Sequence, residues 1–184
     1  STAAGVSSLI QLSVRCAVPL LYLVFAASSV HVLMPSDFSR WLLRNRKYFG
    51  LCFASAMAWQ GFFILWMVGI HTDYYVGQVY VLSDAIEGVV GYTVLLLMVI
   101  TSFKFGRKQL TGKQWRYLHK FGVYYLWAYA WSVYWFALYY YNSPNGVDYV
   151  YYWSGLLAWG LRAGAWSKQQ SQNQLKQNAK LETA

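Results

Sequence analysis

The fold of this chain is decided by one stretch, Gly112-Lys-Gln-Trp-Arg-Tyr-Leu-His-Lys-Phe-Gly-Val-Tyr-Tyr-Leu-Trp127. A basic run changes there within a few residues into an apolar, aromatic segment, and His119 lies at the change. This pattern is typical of a helix that enters a bilayer, with Trp and Tyr at the level of the headgroups. His119 is then either part of an interfacial anchor or a side chain that binds a metal at one membrane face. The pattern leaves both interpretations open.

Composition indicates the class of protein. Of the 184 residues, 58% are hydrophobic and 20% aromatic, but only 11% are charged, whereas a soluble domain has about 25% charged residues. Apolar runs long enough to cross a bilayer recur along the chain, so the sequence predicts an all-α integral membrane protein with the lipid bilayer as its first partner. The net charge of +9 then reports orientation rather than binding to nucleic acid, and no nucleic-acid partner is expected. Because the N-terminus lacks a basic region and its apolar run is long, no cleavable signal peptide is expected either.

Hydropathy predicts a bundle of five transmembrane helices, at about residues 9–34, 48–70, 79–103, 118–141 and 149–166. They form one membrane domain over residues 1–166, followed by a polar tail over residues 167–184. The tail is rich in Gln, Asn and Lys, and is predicted to be disordered or to be ordered only by a partner. The linker of residues 35–47 is interpreted as an interfacial amphipathic turn, whose start Ser36 can cap.

The basic residues predict the orientation of the bundle. Nearly all Lys and Arg lie in residues 35–47, in residues 104–117 and in the C-terminal tail, while residues 71–78 and 142–148 have none. Loops rich in Lys and Arg stay in the cytoplasm. The C-terminus is therefore expected inside and, with five spans, the N-terminus outside.

Three polar side chains are expected within the membrane. Gln60 lies at the middle of the second span and should face other helices rather than lipid. Glu87 lies in the third span and is either a functional acid or a protonated or hydrogen-bonded acid near the interface. Ser132 is expected at a depth similar to that of Gln60. Each of these two should meet a polar group, such as the other one, Glu87 or an ordered water, because an unpartnered amide in hydrocarbon is costly.

Two stretches carry a resemblance to a known family, Glu87-Gly-Val-Val-Gly-Tyr-Thr-Val-Leu-Leu-Leu-Met-Val-Ile-Thr-Ser-Phe103 and Leu110-Thr-Gly-Lys-Gln-Trp-Arg-Tyr-Leu-His-Lys-Phe-Gly-Val-Tyr124. With the basic loop between them, they resemble the ferric reductase-like transmembrane domain. They look closest to the haem-binding membrane subunit of the bacterial methionine sulfoxide reductase system. Asn45-Arg-Lys-Tyr-Phe-Gly-Leu51 is similar to the basic start of the family's first ligand-bearing helix. The resemblance covers roughly residues 20–165, and its Trp-x-x-Leu-His element is more specific than the hydrophobic remainder.

Members of that family have six helices and hold b-type haem between two of them, with a His on each. The resemblance implies that His119 matches the inner His of the later ligand helix. The two outer His positions fall on Ser132 and Gln60, so the outer site has lost both ligands. The family's first helix has no counterpart here, which agrees with an N-terminus outside.

The inner site keeps one family ligand in this comparison. Its second ligand position falls on Arg46 or Lys47, and Arg46 could pair with a haem propionate. His31 could supply a second imidazole if the first and fourth spans are neighbours. Aromatic side chains of the next turns, Tyr124, Tyr125 and Trp127, are expected to fill the space beside His119.

Two hypotheses about function follow. In the first, the chain is a degenerate ferric reductase-like protein, without cofactor, that serves as an accessory subunit of a larger redox or energy-converting membrane complex. In the second, it is an electron-transfer subunit with one b-type haem at the cytoplasmic side and His119 as axial ligand. Neither makes the chain an enzyme by itself. The resemblance places it in a bacterial inner membrane.

Overall fold

The computed structural model describes residues 2–140 and 144–182, without the side chains of residues 78, 79 and 179–182. These ranges are helical and contain no β-strand, so the all-α prediction is confirmed for them. The helices are α1 (Ala3–Leu33), α2 (Asp37–Ile70), α3 (Thr72–Tyr74), α4 (Leu82–Thr101), α5 (Lys104–Arg107), α6 (Gly112–Tyr139) and α7 (Gly146–Glu182), with a π-helical turn (Tyr75–Val79) after α3. The predicted turn of residues 142–148 lies partly outside the described residues.

Three helices, α1, α2 and α4, are long and apolar enough to cross a membrane. Helices α1 and α2 cover the first and second predicted spans, apart from residue 34 at the end of the first. Helix α4 is shorter than the third predicted span by a few residues at each end. The other two long helices, α6 with 28 residues and α7 with 37 residues, contain the fifth predicted span and all but the end of the fourth.

The chain between the first two spans differs from the prediction. Ser36 caps α2, as predicted: its hydroxyl accepts from the Ser39 N–H at 3.1 Å, and the Ser39 hydroxyl accepts from the Ser36 N–H at 2.9 Å. A separate interfacial turn over residues 35–47 is wrong, however, because α2 continues from Asp37 to Ile70 without a break. No Pro interrupts this range, and a capped helix extends more easily than a new one begins.

The polar tail is also helical. Helix α7 continues past the fifth predicted span to Glu182, and its described side chains beyond Trp166 are exposed. The sequence analysis predicted disorder, or order only with a partner. Gln, Lys, Ala and Leu are good helix formers, and extension of a helix that has already begun is much easier than starting a new one.

Helix α1 is the centre of the bundle. It packs against α2, α6 and α7, while α4 packs mainly against α6. Small buried residues on α1, among them Ala17 and Ala27, allow neighbouring helices to approach closely. Phe25 is fully buried in the same core, where its ring stacks on Trp127 and meets Tyr124 edge to face.

Candidate functional site

Arg46 lies on the face of α2 that points into the bundle. One row of buried and half-buried positions on this part of α2 recurs every three or four residues, at Ser39, Leu42, Arg46, Phe49 and Phe53. That spacing marks the packed face of a helix. The basic residues on either side of Arg46 in this helix are exposed. Arg46 is thus a cation at a position where the pattern of burial calls for an apolar side chain.

Arg162 on α7 lies at the junction of three helices. Its Nη1 donates to the carbonyl oxygen of Phe25 on α1 at 2.9 Å. Its guanidinium lies over the rings of Phe25 and Tyr124, at 4.5 and 4.4 Å from their centroids. The two ring faces and the carbonyl offset part of the cost of removing the cation from water. Arg162 thereby connects α7 to α1 and α6.

His119 connects α6 to the end of α4. Its Nε2 lies 3.0 Å from Oγ1 of Thr101, and the same hydroxyl lies 2.7 Å from the Leu97 carbonyl oxygen. A hydroxyl has one proton to donate, and the Thr101 hydroxyl donates it to the Leu97 carbonyl oxygen. The Thr101 oxygen therefore accepts a hydrogen bond from an Nε2–H of His119. Trp115 covers the imidazole with its ring centroid 4.5 Å away, and its Nε1 donates to the Thr101 carbonyl oxygen at 3.1 Å. Binding of iron through Nε2 would require the loss of this hydrogen bond.

His31 belongs to a separate network. Its Nδ1 lies 3.1 Å from Oγ of Ser39, which donates to the Ser36 carbonyl oxygen at 2.9 Å. By the same reasoning, the Ser39 oxygen accepts from an Nδ1–H of His31. Helices α1 and α6 are neighbours, which was the condition for His31 to approach His119. The two imidazoles nevertheless serve different junctions, α1 with α2 and α6 with α4.

The space beside His119 is filled differently from the prediction. The aromatic side chain on the imidazole is Trp115, one turn before His119, rather than those of the following turns. Tyr124 and Trp127 pack against Phe25, and the Tyr125 hydroxyl donates to the Glu87 carbonyl oxygen at 3.0 Å. In a helix, side chains lean toward the N-terminus, which brings Trp115 over the end of α4.

The end of the bundle that holds the starts of α2 and α6 and the end of α4 is rich in basic residues. The positive charges of Arg46 and Arg107 both act electrostatically on His119. Arg107 also lies over the Trp115 ring, 5.1 Å from the centroid. Within the described part of the chain, the one ion pair joins Arg40 to Asp37 at the exposed start of α2.

Gln60 has a polar partner on a neighbouring helix, as expected, but the partner is Tyr92. The Tyr92 hydroxyl lies 3.0 Å from Gln60 Oε1 and 3.1 Å from the Met57 carbonyl oxygen. Ser132 donates to the carbonyl oxygen of Tyr129 in its own helix at 2.8 Å, so the structure does not pair it with Gln60. Glu87 is exposed, and its described contact is made by its main-chain carbonyl.

Three residues with contacts between helices were not predicted from the sequence: Arg162, Thr101 and Tyr92. For Arg162 a signal was available, since an ionisable residue inside a predicted span is a functional candidate by default. Thr101 and Tyr92 gave no such signal, because hydroxyl groups are common in membrane helices. Their importance comes from the partners across the helix interface.

Two results limit the chemistry that can be assigned to the site. In the residues with described side chains, no group of three or more His, Cys, Asp or Glu is placed to hold a metal ion. Comparison with known proteins finds no matching family model, curated protein or solved structure. The function is therefore argued from the residues themselves.

Proposed function

We propose that this chain is an accessory subunit of a larger membrane complex, with its histidines serving to join helices. The observation that carries the proposal is the use of both imidazoles at the basic end. His119 ties α6 to α4 through Thr101, and His31 ties α1 to the cap of α2 through Ser39. Each ring donates to a hydroxyl that is itself anchored to a carbonyl. This geometry supports a structural role for both histidines.

The proposal includes five spans, with α6 and α7 as the fourth and fifth. At about 1.5 Å per residue, either helix exceeds the roughly 30 Å of a hydrocarbon core. Tyr and Trp suit the membrane interface, and the inward Trp127 Nε1 donates to the Gly155 carbonyl oxygen at 3.1 Å. The distribution of Lys and Arg supports an N-terminus outside and a C-terminus in the cytoplasm. The bacterial inner membrane enters the proposal through the family resemblance alone.

An exposed aromatic surface on α2 supports an assembly with other subunits. This surface consists of Trp59, Phe62, Leu65 and Trp66, which are 60%, 46%, 73% and 40% exposed. The Phe62 ring contacts both Trp rings, so the surface is continuous. A bilayer would cover it if the protein worked alone, and an experiment must separate the two cases.

A native gel of mildly solubilised membranes from the source cells tests the assembly. We expect the tagged wild-type protein to migrate in a particle much larger than itself. Trp59→Ala combined with Trp66→Ala should release it. Trp153→Ala is the matched control, since Trp153 is 62% exposed on α7, outside the α2 surface. Migration of the wild type as a single chain would contradict the accessory role.

A visible absorption spectrum tests the competing electron-transfer function. One observation favours that alternative: Arg46 lies on the inward face of α2, where a haem propionate would need a cationic partner. Protein purified from cells supplied with a haem precursor should show no reducible b-type spectrum if the role is structural. A b-type spectrum that His119→Ala abolishes would instead establish the haem-binding role.

A further inference from the structure

The short helix α5 is packed directly on the last turn of α4. Gly106 is buried in α5, and a Cβ atom at this position would overlap the carbonyl group and the side chain of Ile100 in α4. The Phe103 N–H also donates to the Ile100 carbonyl oxygen at 3.2 Å. Phe105 is the neighbour of Gly106, and consecutive Cα atoms are about 3.8 Å apart. The turn therefore holds Phe105 close to the end of α4.

The last turn of α4 lies where an apolar helix leaves a bilayer. Helix α4 has 20 residues and is one of the helices that are apolar enough to cross a membrane. At about 1.5 Å per residue it is about 30 Å long, which matches the thickness of a typical hydrocarbon core. When α4 spans the bilayer, both of its ends lie at the boundary between acyl chains and headgroups. Helix α5, packed on the last turn, lies at that boundary too.

Helix α5 and the residue after it expose an aromatic ring among cations. Phe105 is 77% exposed, and the neighbouring side chains of Lys104, Arg107 and Lys108 are exposed as well. We call these four residues the α5 surface. An aromatic ring gains free energy when it leaves water for an apolar medium, whereas the cations keep their charge best beside anions. The α5 surface therefore suits a partner that is apolar and anionic at once.

No ion pair neutralises the α5 surface within the described part of the chain. The one ion pair there joins Arg40 to Asp37 in α2, and residues 88–147 contain no Asp or Glu. Arg107 is also fixed in position, because its Nη1 donates to the Leu110 carbonyl oxygen at 3.0 Å. The α5 surface thus presents positive charge at the level of the headgroups, where cations attract anionic lipid.

We propose that the α5 surface binds anionic phospholipids of the adjoining leaflet, with Phe105 among the acyl chains and the three cations at the phosphates. A soluble phosphate ion would meet the cations but leave the Phe105 ring in water. An acidic protein would have to reach Phe105 at the membrane boundary, where lipids already surround the end of α4. The inference depends neither on the accessory role nor on which side of the membrane this end faces.

Spin labels test the insertion of Phe105. The full chain, with Cys16→Ser and Cys52→Ser, is placed in bilayers of phosphatidylcholine and phosphatidylglycerol and carries one nitroxide at Phe105→Cys. We expect oxygen to reach this label better than a water-soluble nickel complex does, as at Leu96→Cys, a position 59% exposed within α4. A label at Ser171→Cys in the exposed tail should show the opposite preference. A Phe105→Cys label that behaves like the tail label would overturn the proposal.

Lipid preference tests the cations of the α5 surface. Native mass spectrometry of the full chain in a neutral detergent compares phosphatidylglycerol with phosphatidylcholine of identical acyl chains. We expect the wild type to prefer phosphatidylglycerol. Lys104→Gln combined with Lys108→Gln should lower that preference by about fivefold or more, the factor that one basic residue contributes near an anionic surface. Arg44→Gln combined with Lys176→Gln is the matched control, since both are exposed cations outside the α5 surface.

The control variant should keep the wild-type preference, and circular dichroism should show that both double variants stay folded. Equal binding of the two lipids by the wild type, or an equal loss of preference in the two double variants, would contradict recognition of the headgroup by α5. Displacement of phosphatidylglycerol by inorganic phosphate at equal concentration would overturn the choice of a lipid as the ligand.

Discussion

At the scale of single residues, Thr101 holds the basic end of the bundle together. Its hydroxyl accepts from His119 and donates to the Leu97 carbonyl, while its own carbonyl accepts from Trp115. Thr101 is buried, so water cannot replace a lost partner there. Two side chains of α6 therefore depend on one residue at the end of α4.

Thr101→Val keeps the shape of the side chain and removes the hydroxyl. The His119 Nε2–H then loses its acceptor, which should cost about 1–3 kcal/mol of stability. Unfolding followed by far-ultraviolet circular dichroism in detergent measures the change. Thr93→Val is the control, because the exposed Thr93 hydroxyl bonds the Val89 carbonyl of its own helix. Equal losses in the two variants would show that the bond to His119 contributes nothing.

Tyr92→Phe tests the partner of Gln60. Removal of the hydroxyl leaves the amide oxygen of Gln60 without this donor, and we expect a loss of about 1–2 kcal/mol in the same measurement. Tyr117→Phe should change stability little, because Tyr117 is 74% exposed. A stability of Tyr92→Phe equal to that of the wild type would mean that Gln60 finds another partner at no cost.

At the scale of helices, α7 packs closely against α1 and α6 at Gly155. The Gly155 carbonyl accepts from Trp127, and the site is covered by Tyr22 and Trp131. A Cβ atom at this position would lie 2.7 Å from both the Tyr22 hydroxyl oxygen and Trp131 Cδ1. Both atoms belong to rigid aromatic side chains in a packed core, so they can move only if the helices separate.

Gly155→Ala should therefore destabilise the bundle by about 1–3 kcal/mol through overpacking. Gly160→Ala in the same helix is the matched control, since a Cβ there meets nothing within 4 Å. That variant should be neutral or more stable by up to about 1 kcal/mol, because Ala favours helix. Thermal unfolding of the two variants side by side gives the answer, and a stable Gly155→Ala protein would refute the close packing.

At the scale of the whole molecule, the asymmetry of basic residues predicts the topology. In a variant with Cys16 and Cys52 replaced by Ser, a cysteine at Ser171 should react with a membrane-impermeant maleimide only from the cytoplasmic side. A cysteine at Asn145 should react only from outside. Ser171 and Asn145 are both exposed, so access to the thiol does not limit labelling. Labelling of both from the same face would exclude five spans.

Much of the helical architecture could be predicted from local patterns. Apolar runs predicted where long helices lie. Ser36 was predicted to cap the linker of residues 35–47, and in the structure it caps α2, which begins there. The predicted helix boundaries were wrong where no residue marks the start or the end of a helix. Helix α2 begins ten residues or so before its predicted span, and α7 continues through the polar tail, because an existing helix extends at little cost.

By itself, the sequence determined the helical class, the basic end of the molecule and the need of Gln60 for a polar partner. Only the tertiary structure decided which side chains meet: Tyr92 with Gln60, Thr101 with His119, and Arg162 with Phe25. The physical reason is that hydropathy and periodicity are local, whereas these contacts depend on how helices rotate and cross. The sequence separations of the three pairs are 32, 18 and 137 residues, and no local pattern reports an angle over such distances.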